Sequence, residues 1–323
     1  MSKIRYLRRI LSSYIFSNNS QLTFWHEVPE VNNAAPIREL GQYYMTFAGK
    51  ANYQGPFDKQ GIPLLNYHGK VGKQYNPIAI AQYALAHYNL ASSKGNIVYQ
   101  DKFLDNAEWL LHHLVKTPQG TYLWPHYFDF EYFRPLKAPW FSGLAQGQGL
   151  SVLVRGFAET GDTKYKSAAA RVFESLSLTI NEGGVLYVDD QDCVWIEEYL
   201  VDPPTHILNG FLWALWGVYD YFLLTRSRGA KELFDTCTKT VLAYLPNYDA
   251  GFWSYYELTP QRIKSIASPF YHRLHIVQMH IMHRLTGLPE FRQCADRWEK
   301  YAKNSLYRTM ALIYKAGFKL AYY

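Results

Sequence analysis

PIAIAQYALAHYNL, residues 77–90, and FLDNAEWLLHHLV, residues 103–115, are the two runs on which the fold turns. The first opens on a proline and carries small and apolar residues at helical spacing; the second keeps that period but interleaves Asp, Asn, Glu and His. Together they read as an antiparallel pair, an apolar helix followed by a more charged one. The same order returns at about 142–159 and 163–177, at 207–225 and 230–244, and at 272–285 and 290–303. Four such hairpins cannot bury their apolar helices separately, but side by side around an axis they can, with the charged helices outside. The expected fold is therefore mainly α, an incomplete α/α toroid of about four helical hairpins. Strand-like pieces at 183–200 and 251–258 are expected as short β-hairpins at its rim.

Domain limits follow from the same pattern. Residues 1–60 read as a basic N-terminal lead with loops and short strands, 61–305 as the toroid, and 306–323 as a C-terminal tail. The lead, opened by KIRYLRR at 3–9, reads equally as a surface helix or a solvated arm.

The 323 residues suffice for a substantial core, and 28 Tyr and 9 Trp are a heavy aromatic load. Such side chains join an apolar face to a polar handle, which suits grooves that hold sugars. Lys and Arg exceed Asp and Glu by 33 to 27, favouring an acidic partner. Beyond the lead these cations are dispersed and no nucleic-acid motif accompanies them, so an acidic polysaccharide is expected and nucleic acid is not. Cys193, Cys237 and Cys294 form no metal or disulfide pattern and fit a reducing compartment. Ser12, Ser13 and Tyr14 interrupt the one leader-like run, and Asn209, Gly210 and Asp220 mark the apolar stretch 207–224 as a core helix rather than a membrane span. A cytoplasmic location without metal or cofactor is the expectation.

Chemistry concentrates in two places. WIEEYLVDPPTHILNGF, residues 195–211, sets two carboxylates and a phenol before Pro203 and Pro204, which cannot continue regular structure. Thr205 is expected to cap the helix beginning near Ile207, leaving Glu197, Glu198 and Tyr199 at its mouth. In a regular strand Glu198 and Tyr199 would face opposite ways, so both reach one ligand only if the backbone turns before Pro203. The other place is SPFYHRLHIVQMHIMHRL, residues 268–285, where Tyr271 at a helix start precedes His272, His275, His280 and His283. No carboxylate or Cys is interleaved, so these histidines are not expected to hold a metal. His275 reads as a cavity residue. Elsewhere, GLAQGQG at 143–149 fits close helix packing or an approaching polymer, with Gln146 and Gln148 as candidate sugar contacts. Asn209 fits a loop carbonyl or a substrate, and Tyr75 with Asn76 fits an anion at a helix N-terminus or a plain cap.

In combination and in order, YNPIAIAQYALAHY (75–88), WFSGLAQGQGLSVLVR (140–155), IEEYLVDPPTHILNGF (196–211), LPNYDAG (245–251), SYYEL (254–258) and YHRLHIVQM (271–279) resemble the heparan sulfate and heparosan D-glucuronyl C5-epimerases. The resemblance covers about residues 60–303. It lacks the β-rich insertion and membrane anchor of the animal enzymes, as in a minimal microbial member. It implies an α/α-barrel isomerase that converts D-glucuronate to L-iduronate within a polymer, possessing a homodimeric form. It places the catalytic carboxylate and tyrosine on Glu198 and Tyr199, another catalytic tyrosine on Tyr271, and a further site tyrosine on Tyr256. Two departures stand out: EEYL replaces EEYP, and YELTP lacks the Arg that follows the Y-D-L motif. Another donor must then meet the substrate carboxylate, with His272 and His275 the candidates and Arg273 turned away from them. A polysaccharide lyase shares the first step, proton abstraction at C5, and a non-catalytic glycan-binding module shares the aromatic groove; both remain open on these residues.

Overall fold

The computed structural model describes residues 24–322 apart from 68, 69, 131 and 133; the basic lead at 1–20 lies outside the described residues. Four helical hairpins make the ring: α1 (Pro77–Lys94) with α2 (Ile97–His112), α3 (Gly143–Thr160) with α4 (Thr163–Leu176), α5 (Leu208–Thr225) with α6 (Arg228–Tyr244), and α7 (Pro269–Thr286) with α8 (Pro289–Lys303). The first member of each pair lies inside. Helix α5 buries 14 of its 18 residues and α6 only 6 of its 17, which is the division that the apolar and charged runs predict. The fold is an incomplete α/α toroid. Among the described residues no helix is long and apolar enough to cross a membrane.

Local chemistry sets the helix starts. Asn76, Ser142 and Ser268 each accept first-turn N–H groups of α1, α3 and α7 with a side-chain oxygen. Thr205 does not do this for α5, whose N-cap is Ile207 without a side-chain bond; the N–H groups of Thr205 and His206 go to Glu197 instead. Because an outer helix returns the chain after each inner one, the four inner helices run the same way and their N-termini share one end of the ring.

Helices α3 and α5 come closest. A β-carbon on Gly147 would lie 2.1 Å from Cα of Ala214, and one on Gly217 would lie 2.0 Å from the carbonyl oxygen of Gly147. Of the glycines of GLAQGQG, Gly147 is thus explained by helix packing, while Gly149 is seated on the Trp124 ring and Gly143 on the Glu197 carbonyl.

Inner helices pack α1 to α3, α3 to α5 and α5 to α7, which leaves the ring to be closed between α7 and α1. Residues 31–47 close it. Arg284 of α7 donates to the carbonyls of Asn32 and Ala35 at 2.9 and 3.0 Å. On the other side Asn89 of α1 accepts the Tyr43 N–H at 2.7 Å and donates to the Met45 carbonyl at 2.8 Å. Tyr43, Tyr44, Met45 and Phe47 fill the interior, so a boundary at residue 60 would cut through one core. Arg155 and Asp220 pair at 2.6 Å beneath this segment, fully buried, with Arg155 also bonding the Gly41 carbonyl and Asp220 accepting the Tyr44 hydroxyl.

Among the described residues three short hairpins decorate the ring: β1 (Leu65–Asn66) with β2 (Lys73–Gln74), β3 (Val115–Lys116) with β4 (Tyr122–Leu123), and β5 (Leu186–Val188) with β6 (Val194–Ile196). The last pairs Leu186 with Ile196 and Val188 with Val194, inside the expected stretch 183–200. Stretch 251–258 forms only the isolated bridges Asp249 to Ser254 and Tyr255 to Ile266. The expected tail is also different: Ser305–Tyr322 is a helix, α9, with Ala311 and Phe318 buried.

Gly217→Ala forces a methyl into the Gly147 carbonyl and is expected to cost about 3 kcal/mol in urea unfolding. Gly229→Ala on α6, where the nearest atom to an added β-carbon is 3.9 Å away, is expected to stabilise by about 0.5–1 kcal/mol.

Candidate active site

Strand β6 ends at Ile196, and the chain then bends through Glu198 and Tyr199, with the Val201 N–H returning to the Tyr199 carbonyl at 3.0 Å. This is the departure from regularity that lets neighbouring side chains share a site. It also separates the two glutamates. Glu197 turns toward the start of α5, where its carboxylate accepts the N–H groups of Thr205 and His206 and bonds the His206 ring at 2.5 Å. Its carbonyl takes the Gly143 N–H, tying β6 to α3.

Glu198 is differently placed. Its carboxyl rests on the first turn of α5, and only glycine fits beneath it, since a β-carbon on Gly210 would lie 2.0 Å from Oε2. Oε2 is buried without a hydrogen-bond partner. Burial above all, then the charges of Glu257 and Glu197, raise its pKa to about 8 against a lowering bond from Tyr199.

An aromatic wall surrounds this carboxyl. Tyr199 packs at ring-centroid distances of 4.6 Å on Tyr132 and 5.7 Å on Trp140, and Tyr256 meets Tyr271 edge to face at 4.8 Å. Burial holds Tyr199 and Tyr256 well above the usual phenol range, and the neighbouring carboxylate of Glu198 adds to it. Tyr271 is raised for the same reasons. All three are therefore hydrogen-bond donors at neutral pH. The helix start of α1 joins them through Asn76, which caps the helix with Oδ1 and donates from Nδ2 to the Tyr67 hydroxyl at 2.7 Å. Tyr67 in turn packs on Phe128 within the cluster that includes Tyr199 and Tyr256. Asn209, in the first turn of α5, keeps a buried Oδ1 without a partner.

The other candidates lie elsewhere. Tyr75 points outward, bonds Asp58 and packs on Trp109. Gln146 is consumed by structure, accepting the Trp124 N–H and donating to the Tyr122 carbonyl and Ser175 hydroxyl. Gln148 bonds Gln82 within the core. His272 is stacked on Trp253 at 3.8 Å, its Nδ1 accepting the Ser254 N–H and its Nε2 bonding the Trp298 carbonyl. His275 shares the Ser254 hydroxyl and keeps an unpartnered Nε2. Burial lowers His272 to about 3 and His275 well below its usual value, so neither supplies a cation for a carboxylate clamp. Arg273 is exposed. His280 pairs with Glu299 and His283 with the Leu288 carbonyl, so the four histidines of α7 do not converge. Among the described residues no three His, Cys, Asp or Glu side chains are grouped to hold a metal.

Sequence reading missed Tyr132, Trp140 and Glu257. The signal was there for Tyr132: Phe128, Phe130 and Tyr132 alternate, and the bridges His126 to Trp140 and Phe130 to Leu136 make this stretch an irregular hairpin over Tyr199.

The family described as D-glucuronyl C5-epimerase C-terminus matches residues 119–300, which include Glu198, Tyr199, Tyr256 and Tyr271. The chain belongs to this family. A D-glucuronyl C5-epimerase of Caenorhabditis elegans is 30% identical over 182 residues, covering 52% of this chain and 29% of the relative. An uncharacterised protein of Methanocaldococcus jannaschii is 28% identical over 181 residues, covering 55% of this chain and 57% of the relative. The chain thus spans less than two thirds of the length of either relative. In fold it is similar to an unsaturated glucuronyl hydrolase specific for heparin, at TM-score 0.51 and 11% identity over 93% of this chain and 84% of that one. It is also similar to a family 76 glycoside hydrolase (mannosidase) of Bacteroides thetaiotaomicron, at TM-score 0.50 and 11% identity over 80% and 69%.

The raised Glu198 has a stability signature. Its folded value of about 8 exceeds the ordinary 4.5, so its contribution is fully present below pH 4.5 and is lost as pH rises through 8. Glu198→Gln is expected to unfold at higher urea than the parent at pH 9, by a few kcal/mol, with the advantage shrinking toward pH 5.

Proposed function

We propose that this protein inverts C5 of D-glucuronate residues to L-iduronate in a heparosan-like or other uronate-containing glycan. The observation that carries the reading is the buried Glu198 carboxyl, its Oε2 without a partner and its pKa raised to about 8, walled by Tyr199, Tyr256 and Tyr271. A C5 proton beside a carboxylate is a very weak acid, because that negative charge opposes the carbanion. Removing it requires a base matched to the working pH and donors on the substrate carboxylate. Inversion then requires delivery of a proton to the other face.

In this reading the Glu198 and Tyr199 couple accepts the proton on one face, and Tyr271 donates on the other; in the reverse direction the roles exchange. The protonated Tyr256 hydroxyl serves the substrate carboxylate, aided by the N-terminal ends of α5 and α7, where helix dipoles favour negative charge. This takes the place of the missing arginine after the Y-E-L segment.

Incubation with a glucuronate polymer in deuterated water tests the reading. Deuterium at C5 without chain cleavage supports it; cleavage to an unsaturated uronate indicates a lyase, and neither outcome indicates a binding module. Glu198→Gln, Tyr199→Phe and Tyr271→Phe are each expected to lower exchange at least ~100-fold while the far-ultraviolet dichroism stays unchanged. Because the couple must begin ionised, kcat/KM is expected to rise with pH through about 8.

A further inference from the structure

We propose that Glu257 is a positioning residue of this site: held by the Tyr132 hydroxyl, it anchors the ring that packs on Tyr199 and brings a second carboxylate to the neighbourhood of Glu198. The inference rests on the epimerase reading for its meaning, but its geometry stands on its own. Leu258 donates its N–H to the Thr205 carbonyl at 2.9 Å, and the Tyr256 carbonyl accepts the Leu208 N–H at 3.3 Å. Residues 256–258 are thereby laid against the turn into α5, two residues before the Gly210 on which Glu198 rests. Glu257 is 5% exposed and accepts the Tyr132 hydroxyl on Oε2. Tyr132 then packs on Tyr199 at 4.6 Å, and one chain of contacts runs from Glu257 to the phenol that bonds Glu198.

The chemistry explains why a carboxylate stands here. A glutamine would accept the same hydroxyl without bringing a second negative charge next to a buried acid, which is the less costly arrangement for stability. The charge gives what an amide does not: it opposes ionisation of Glu198 and makes that group a stronger base. Among the described residues, the other titratable groups facing Glu198 are Glu197, engaged by His206, and the protonated Tyr132, Tyr199, Tyr256 and Tyr271.

Glu257→Gln keeps the shape and removes the charge. The pH at which kcat/KM for C5 exchange rises is expected to move down by about one unit. The titration of Glu198, followed by carbon NMR in carboxyl-labelled protein and assigned with Glu198→Gln, is expected to move by the same amount without substrate. An unmoved Glu198 titration overturns the proposal, as does a loss of rate that is equal at every pH. Tyr132→Phe keeps the ring on Tyr199 and removes only the bond to Glu257; kcat is expected to fall about tenfold at unchanged KM, and parental kinetics would overturn the link. Absence of exchange in the parent protein counts against the epimerase reading instead, since the NMR titration is read independently of activity.

Discussion

Backbone contact between α3 and α5 is the constraint on which the molecule depends. Where Gly147 meets Ala214 and Gly217, the helices approach until no side chain fits between them. One turn earlier on each helix, Gly143 receives the Glu197 carbonyl and Gly210 receives the Glu198 carboxyl. Widening the contact would lift the loop away from both helices at once. The packing of the core and the placement of the acid are therefore one fact seen at two depths.

The two ends of the ring treat buried charge in opposite ways. At one end Arg155 and Asp220 satisfy each other and recruit Tyr44, Ser151 and the Gly41 carbonyl, so that removing either partner strands a charge. At the other, Glu198 keeps an oxygen without a partner and is surrounded by further acids and phenols. Such an arrangement lowers stability where it stands, which is common where pKa values serve chemistry. Glu197, one residue away and fully bonded, shows that the same side chain in the same loop is easily satisfied.

Much of the ring was legible in the sequence because inner and outer helices bury different fractions of their surface, and periodicity reports burial directly. The carboxylate and tyrosine segment was legible for a related reason, since Pro203 and Pro204 oblige the chain to leave its strand. What stayed hidden depends on contacts between residues remote in sequence. Nothing local in residues 31–47 says that they bridge α7 and α1, and nothing local to Gln146 says that its amide is spent on Trp124 and Ser175. The surroundings of His272 and His275 were hidden for the same reason: helical spacing sets them near Tyr271, and their enclosure by Trp253, Ser254 and Trp298 comes from residues outside their own helix. Thr205 looked like a cap because its type suits one, but the helix starts only after Ile207, and the N–H groups of Thr205 and His206 before it go to the carboxylate of Glu197.

The closure of the ring by residues 31–47 bears on how the chain reaches its fold. Arg284 holds the carbonyls of Asn32 and Ala35, so an early segment waits for a partner made some 250 positions later. The helical hairpins form from near neighbours, but the seam between first and last is among the most distant pairings in the chain and carries a large loop-closure entropy. Until α7 emerges, the apolar face of Tyr43, Met45 and Phe47 has no complete surface to lie on. Assembly is thus expected to run around the ring and finish at the seam, leaving late intermediates that resemble an opened clasp.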